Sequence, residues 1–174
     1  EGDHSFAAGR RAQAQGYGSF AWADGQDENF VNATSNGVSF RCSGGVIFTG
    51  DSGYTNSVKW SPGDASWSFV SDRNAKEQIK PVDRRAVLEK LLQVPVAEWN
   101  YKGHPQRHVG PMAQDFHAQF PLNGDDKSLN DADLHGVALA AIQGLNQKLH
   151  DELGSVRAEN AELKQRLENL ERLM

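Results

Sequence analysis

Cysteine is almost absent from this sequence of 174 residues, since Cys42 is the single one. One thiol cannot form an intrachain disulfide, and it cannot form a zinc site built from several cysteines. His104, His108 and His117 lie close together in the sequence, but their spacing fits no standard zinc pattern. Long hydrophobic runs are also missing, and no stretch approaches the roughly 20 apolar residues of a transmembrane helix. We therefore expect no metal or other cofactor and no membrane partner.

A surplus of positive charge is missing as well. The formal net charge is -5, with 4 basic against 7 acidic residues in 1–70 and 14 against 16 in 71–174. Neither half offers the basic surface that nucleic acids require, so we expect no nucleic-acid partner. The sequence opens at Glu1 inside a patterned segment without a signal peptide, which predicts that a longer polypeptide precedes it.

A repeat with a period of fourteen residues is present in 2–23. The recurring positions are Gly2 with Gly16, Ser5 with Ser19, Phe6 with Phe20, and Ala7 with Ala21. Such repeats are typical of stacked architectures, and the small residues between them suit strands packed closely against neighbouring chains or coils. The segment, repeat-like to about residue 28, resembles the head repeats of trimeric autotransporter adhesins over about one and a half units.

Short strands are predicted in the remainder of 1–70, because apolar and polar residues alternate between turns rich in glycine and asparagine. The predicted strands are 29–33, 38–42, 45–48, 57–60 and 67–70. Strands with so little apolar mass would form a marginal sheet in one chain, so we expect them to intertwine with sister chains. We therefore interpret 1–70 as the β-rich end of a fibre.

The composition changes after Lys76 from glycine, serine and asparagine to leucine and charged residues, which predicts a domain boundary. Pro81 and Asp83 are typical of a helix start, and the apolar stripe that follows ends before Pro95. A strand over 96–101, a turn at 103–105 and a helix over 112–120 come next. The segment 71–129 is thus predicted to be a small α+β domain.

A long helix with a heptad repeat is predicted for 130–174, capped by Asn130 or Asp131. The a row is Leu139, Asn146, Leu153, Asn160, Leu167 and Met174, and the d row is Ile142, Leu149, Val156, Leu163 and Leu170. Three successive g-to-e pairs have opposite charge, which favours a parallel, in-register homo-oligomer. The heptad pattern does not decide between a dimer and a trimer, whereas the β-rich half favours a trimer.

Ser71 and Lys76 place a hydroxyl and an amine five residues apart where the two halves of the sequence meet. A serine can attack the backbone when a neutral lysine takes its proton, without any histidine. The alternative interpretation is that these residues form a capped turn followed by a solvated lysine, without a catalytic role.

Four blocks in order, 71–76, 91–101, 109–121 and 134–149, resemble the C-terminal intramolecular chaperone, or auto-processing peptidase domain, of phage endosialidase tailspikes and tail fibres. The resemblance spans about 67–150. It implies a trimeric chaperone that folds an upstream fibre and then cuts between Val70 and Ser71, once per chain. It also implies Ser71 as nucleophile and Lys76 as general base, while Asp72 and Arg73 match the motif without an assigned role.

The predicted fold is α+β: an elongated parallel homotrimer with an intertwined β fibre segment, a small α+β chaperone domain and a long C-terminal coiled-coil helix. The alternative function is a non-catalytic module that trimerises and registers a fibre or adhesin. A third possibility is a glycan-binding tip using Trp60, Trp67 and Phe69, although packing suits these aromatics better. We expect a virion tail appendage assembled in the host cytoplasm, with a bacterial surface or injection apparatus as the alternative.

Overall fold

The computed structural model describes residues 2–122 and 124–173 of the chain. Within these residues the fold is α+β, with ten strands and three α-helices, which confirms the predicted class. Contacts divide the chain into two compact units, the first ending at Gln78 and the second beginning at Ile79. The first unit therefore includes the segment from Ser71 to Lys76. None of the helices described is both long and apolar enough to cross a membrane.

Parallel strands stacked coil upon coil form the beginning of the first unit. The order β1-β3-β5 makes one sheet, and β2 pairs with β4 beside it. Phe6 lies opposite Phe20, so the fourteen-residue period of the sequence is the register of β1 on β3. The next step, from Phe20 to Val38, contains four more residues and accommodates a loop. The strands are β1 Phe6–Gly9, β2 Ala12–Ala14, β3 Phe20–Ala23, β4 Phe30–Asn32 and β5 Val38–Arg41.

Small side chains fill the interior of these coils. Ala14 and Ala21 are fully buried there. The amide nitrogen of Asn32 donates hydrogen bonds to the carbonyl oxygens of Phe20 at 2.9 Å and Gly37 at 2.8 Å, which links successive coils from inside. A buried amide satisfied in this way stabilises the coil, whereas an unpaired one would destabilise it. The alternating small residues thus pack against coils of the same chain, and intertwining with sister chains stays a prediction.

Arg41 holds the additional loop of the second coil. Its guanidinium donates to the carboxylate of Asp24 at 3.0 Å and to the carbonyl oxygens of Arg10, Gln26 and Glu28. Hydrogen bonds from Ser43, including its backbone N–H at 2.7 Å, are the main reason why the pKa of Asp24 is lowered to about 2. The bond from Arg41 lowers this pKa further.

Acidification is expected to destabilise the first unit through Asp24. Because its folded pKa lies below the ordinary 3.8, the stabilisation is complete above that value and is lost as the pH falls towards 2. Urea unfolding followed by circular dichroism between about pH 5 and pH 2 measures the loss. Asp24→Asn is expected to be less stable at the higher pH and to lose less on acidification. An equal loss in both proteins would contradict the role of Asp24.

A three-stranded antiparallel sheet follows the coils, in the order β6-β7-β8. The ring of Phe48 lies 5.7 Å from that of Trp67, and the indole N–H of Trp60 donates to the Asp64 carbonyl oxygen at 2.8 Å. Two of the three aromatics considered for sugar binding therefore take part in contacts within the unit, while Phe69 stays exposed. The strands are β6 Val46–Thr49, β7 Ser57–Trp60 and β8 Ser68–Phe69.

The second unit combines three helices with a β-hairpin. Asp83 caps α1 by accepting the backbone N–H groups of Arg85 and Ala86, and Asn130 caps α3 by accepting that of Ala132 at 2.9 Å. Strand β10 pairs antiparallel with β9 and was not predicted from the sequence. The elements are α1 Arg84–Leu91, β9 Ala97–Trp99, β10 His108–Gly110, α2 Ala113–Gln119 and α3 Asp131–Leu173. The heptad position predicted at Met174 lies outside the described residues.

The core of the second unit is small and lies where the helices meet. Its buried members are Val94, Phe116, Phe120 and Val137. The apolar stripe predicted on α1 contributes Val87 and Leu91, which pack against this core, but Leu92 ends the helix and is exposed.

The face of α3 that packs against α1 includes Gly144. A Cβ atom on Gly144 would lie 2.8 Å from the carbonyl carbon of Arg84, and closer still to its oxygen. No described atom lies within 4 Å of a Cβ atom built on Gly154. Glycine lowers the helix propensity at both positions. Only at Gly144 does the structure show that close packing requires a residue without a side chain.

Opposite effects on stability are therefore expected from two alanine substitutions. Gly144→Ala gains helix propensity but forces α1 away, and we expect a net loss of about 1–3 kcal/mol. Gly154→Ala is expected to gain about 0.5–1 kcal/mol, since it adds propensity without a clash. Chemical denaturation of both variants measures the difference. Stabilisation by Gly144→Ala would show that α1 does not pack closely at this position.

Candidate functional site

A tight turn shapes the segment that begins at Ser71. The carboxylate Oδ1 of Asp72 accepts the backbone N–H of Asn74 at 2.9 Å and its side-chain amide at 3.1 Å. The N–H groups of Ala75 and Lys76 donate, each at 3.2 Å, to the carbonyl oxygens of Asp72 and Arg73. A 3₁₀ turn over Arg73–Ala75 results, and Asp72 is its N-cap. Arg73 contributes its carbonyl oxygen to this turn.

The turn brings the side chains of Ser71 and Lys76 together. Lys76 Nζ lies 2.5 Å from Ser71 Oγ, with the ammonium as donor. A neutral amine in the same position would accept the proton of the hydroxyl instead. Both residues are exposed in the single chain. The capped turn and the Ser–Lys contact, which the sequence presents as alternatives, are thus present together.

The residue before Ser71 is held by the antiparallel sheet. The N–H of Val70 donates to the carbonyl oxygen of Ser57 at 3.0 Å, which continues the pairing of β8 with β7 by one residue. Val70 is half-buried, while Ser71 is exposed. The peptide bond between them therefore leaves the sheet at a position fixed by main-chain pairing.

A surface for self-association lies along α3. The buried residues Val137, Ala141 and Gly144 lie on one face of this helix, and the predicted a and d rows lie on another. The eight apolar members of those rows that the structure describes are 49–63% exposed in the single chain: Leu139, Ile142, Leu149, Leu153, Val156, Leu163, Leu167 and Leu170. Asn146 and Asn160 of the a row are exposed too. A continuous apolar surface of this kind is typical of an interaction site.

Glu152 and Arg166, at g positions of the predicted heptads, also contact charged residues of their own helix. Glu152 lies 3.8 Å from Lys148, and Arg166 lies 2.6 Å from Glu162. Exposed pairs one turn apart contribute little, so they leave these side chains available to a neighbouring helix.

Two features of the structure, one in each unit, were not predicted. An apolar groove in the first unit is lined by Phe30, Phe40, Phe48, Trp60 and Trp67. In the second unit the ring of His108 stacks on Trp99, with centroids 4.6 Å apart, which gives this histidine a packing role. Within the part of the chain that the structure describes, no three histidine, cysteine or acidic residues are arranged to hold a metal ion.

The features above define a class of protein: a β-rich end joined to a helical domain with an exposed heptad surface, and a serine and a lysine in contact near the junction in sequence. Residues 71–125 match the family model described as chaperone of endosialidase. The match confirms the resemblance of this segment to the C-terminal intramolecular chaperone domain. The match begins at Ser71 itself. No curated protein and no solved structure matches the chain.

Proposed function

We propose that residues 71–174 act as an intramolecular chaperone that trimerises and folds an upstream β-rich tail fibre or tailspike, and then releases itself by cutting between Val70 and Ser71. The observation that carries the proposal is the distance of 2.5 Å between Lys76 Nζ and Ser71 Oγ. It gains weight because Ser71 is the first residue of the segment that matches the chaperone family. The chaperone family supports an assembly role linked to peptidase activity, and the Ser–Lys pair supplies a chemical means.

The reaction begins with Lys76 as a neutral amine, which takes the proton of the Ser71 hydroxyl. Ser71 Oγ then attacks the carbonyl carbon of Val70, and Lys76 returns the proton to the departing backbone nitrogen of Ser71. An ester now joins Val70 to Oγ, and the amine of Ser71 is free. Water hydrolyses the ester to a carboxylate on Val70 and restores the hydroxyl of Ser71. Each chain is cut once, because its nucleophile is part of its substrate.

Assembly supplies what the single chain does not have. Lys76 is exposed to water in one chain. Packing of three chains would remove water from this segment, and desolvation favours the neutral amine that the reaction needs. Cleavage would then follow trimerisation and report that it is complete.

Folding of the fibre end contributes a second condition. The N–H of Val70 donates to the carbonyl oxygen of Ser57, so the residue before Ser71 is anchored when β7 and β8 pair in register. Anchoring the residue that carries the attacked carbonyl reduces the number of orientations from which Ser71 must reach it, which favours reaction over a flexible peptide. The bond is therefore cut after the sheet that precedes it has folded.

Self-association through α3 completes the proposal. The exposed a and d rows would be buried in a parallel coiled coil, and each apolar side chain so buried contributes about 1.5–3 kcal/mol. The partners are sister copies of this chain and the upstream fibre region of the same polypeptide. The location that follows is a virion tail appendage assembled in the host cytoplasm, with a bacterial surface or injection apparatus as the alternative.

Intact mass spectrometry of the freshly refolded chain tests this function. We expect two products, one ending at Val70 and the other beginning at Ser71, together with a trimeric mass in solution. A trimer that stays uncut under native conditions would favour the alternative, a non-catalytic module that registers a fibre or adhesin. A monomer that stays uncut would contradict both functions.

A further inference from the structure

We infer that Asp72 is a positioning residue for self-cleavage, and that it acts by capping the turn that brings Lys76 to Ser71. The inference rests on the proposed function and gives a role to a residue of the motif that had none. Asp72 makes no hydrogen bond to Ser71 Oγ or to Lys76 Nζ among the contacts of the described residues. Its effect on the reaction therefore passes through the backbone.

The length of an extended chain shows why a turn is needed for Lys76 to reach Ser71. Five residues in an extended chain span about 17 Å, whereas a 3₁₀ turn advances about 2 Å per residue. The four-carbon stem of a lysine cannot cross the extended span. The contact of 2.5 Å between Nζ and Oγ thus requires that the backbone fold back between Ser71 and Lys76.

The carboxylate of Asp72 stabilises this turn. Its Oδ1 accepts the N–H of Asn74, to which no backbone oxygen of the described residues is bonded. Its backbone oxygen accepts the N–H of Ala75. The turn is short and exposed, and none of its residues is buried. Without apolar packing to stabilise it, its geometry depends on the cap, because isolated turns of this kind are marginal.

Charge is the competing explanation, since a carboxylate can also act on a nearby amine through space. The two effects separate by substitution. Asparagine keeps an acceptor oxygen at the same position and is a good N-cap without charge. Glutamate keeps the charge but is not among the preferred N-caps. Alanine removes both.

The test compares self-cleavage of the refolded full chain in Asp72→Ala, Asp72→Asn and Asp72→Glu, followed by intact mass against time over a range of pH. Asp72→Ala and Asp72→Glu are expected to cut about fivefold to tenfold more slowly, and Asp72→Asn within about twofold of the unchanged chain. The pH at half-maximal rate is expected to stay the same in all three. Asp125→Ala is the matched control, because Asp125 caps another exposed turn at Lys127 and Ser128.

Each other outcome overturns the inference in a recognisable way. Wild-type rates in Asp72→Ala would show that the cap is dispensable. A slow Asp72→Asn with a fast Asp72→Glu, or a shifted pH profile, would assign the effect to charge. A slow Asp125→Ala would show that loss of any turn cap slows the chain through folding. An uncut wild-type chain would overturn the proposed function and this inference together, whereas the first three outcomes leave that function intact.

Discussion

Replacing Ser71 with alanine is expected to leave every chain intact at the Val70–Ser71 bond. The methyl group offers no nucleophile, so the ester cannot form and loss of cleavage should be complete. The variant should still assemble, because Ser71 is exposed and, among the described residues, its side chain has only the hydrogen bond from Lys76. Intact mass spectrometry and light scattering of the same sample measure both properties.

Lys76 variants separate a general base from a structural contact. Lys76→Ala and Lys76→Arg are both expected to slow cleavage by a factor of about 100 or more. Arginine keeps a positive charge and can donate to Ser71, but it stays protonated and cannot take the proton of the hydroxyl. Lys80→Arg, at another exposed lysine, is the control and should cut normally. Normal cleavage in Lys76→Arg would contradict the role of Lys76 as base.

Charged residues in the d row of α3 are expected to dissociate the proposed trimer and, as a consequence, to stop the proposed cleavage. Val156→Asp with Leu163→Asp would place two carboxylates from each chain in the core of the coiled coil. Each lost apolar side chain costs about 1.5–3 kcal/mol, and a buried unpaired carboxylate costs more. Both residues are at least half exposed in the single chain, so the fold of one chain should not depend on them.

The matched control puts the same charges on the outer side of the helix. Ala158→Asp with Gln165→Asp changes two positions with the same spacing, each two residues after a d position. This pair should leave the trimer and the cleavage rate nearly unchanged. Light scattering against the chain mass of 19.1 kDa gives the number of copies. A d-row variant that stays trimeric would show that another surface holds the chains together, and cleavage by monomers would separate catalysis from assembly.

Much of the local structure could be predicted because its signals are local. Asp83 and Asn130 are strong N-caps, and each caps a helix that begins where the sequence indicates. The fourteen-residue period gave the register of Phe6 on Phe20, since neighbouring coils repeat the same side chains at the same positions. The pair Ser71 and Lys76 could be proposed from the chemistry of the two side chains and from the family resemblance.

Strand β10 could not be found in the same way. His108, Val109 and Gly110 form too short a run to show periodicity, and they become a strand only by pairing with β9. The groove lined by Phe40, Phe48 and Trp67 is another example, because its residues come from separate parts of the chain. The packing role of Gly144 could not be predicted either, because the backbone that leaves no room for a Cβ atom belongs to α1, sixty residues away in the chain.

The sequence by itself determined the heptad rows, the helix starts, the register of the first two coils and the chaperone family of the segment that begins at Ser71. These features depend on neighbours within a few residues or on a regular period. The tertiary structure alone decided that Asp72 caps a turn, that this turn brings Lys76 to Ser71, and that the N–H of Val70, the residue before Ser71, is bonded to Ser57. The physical reason is that hydrogen bonds fix such distances between groups whose separation in space cannot be calculated from their separation in the chain.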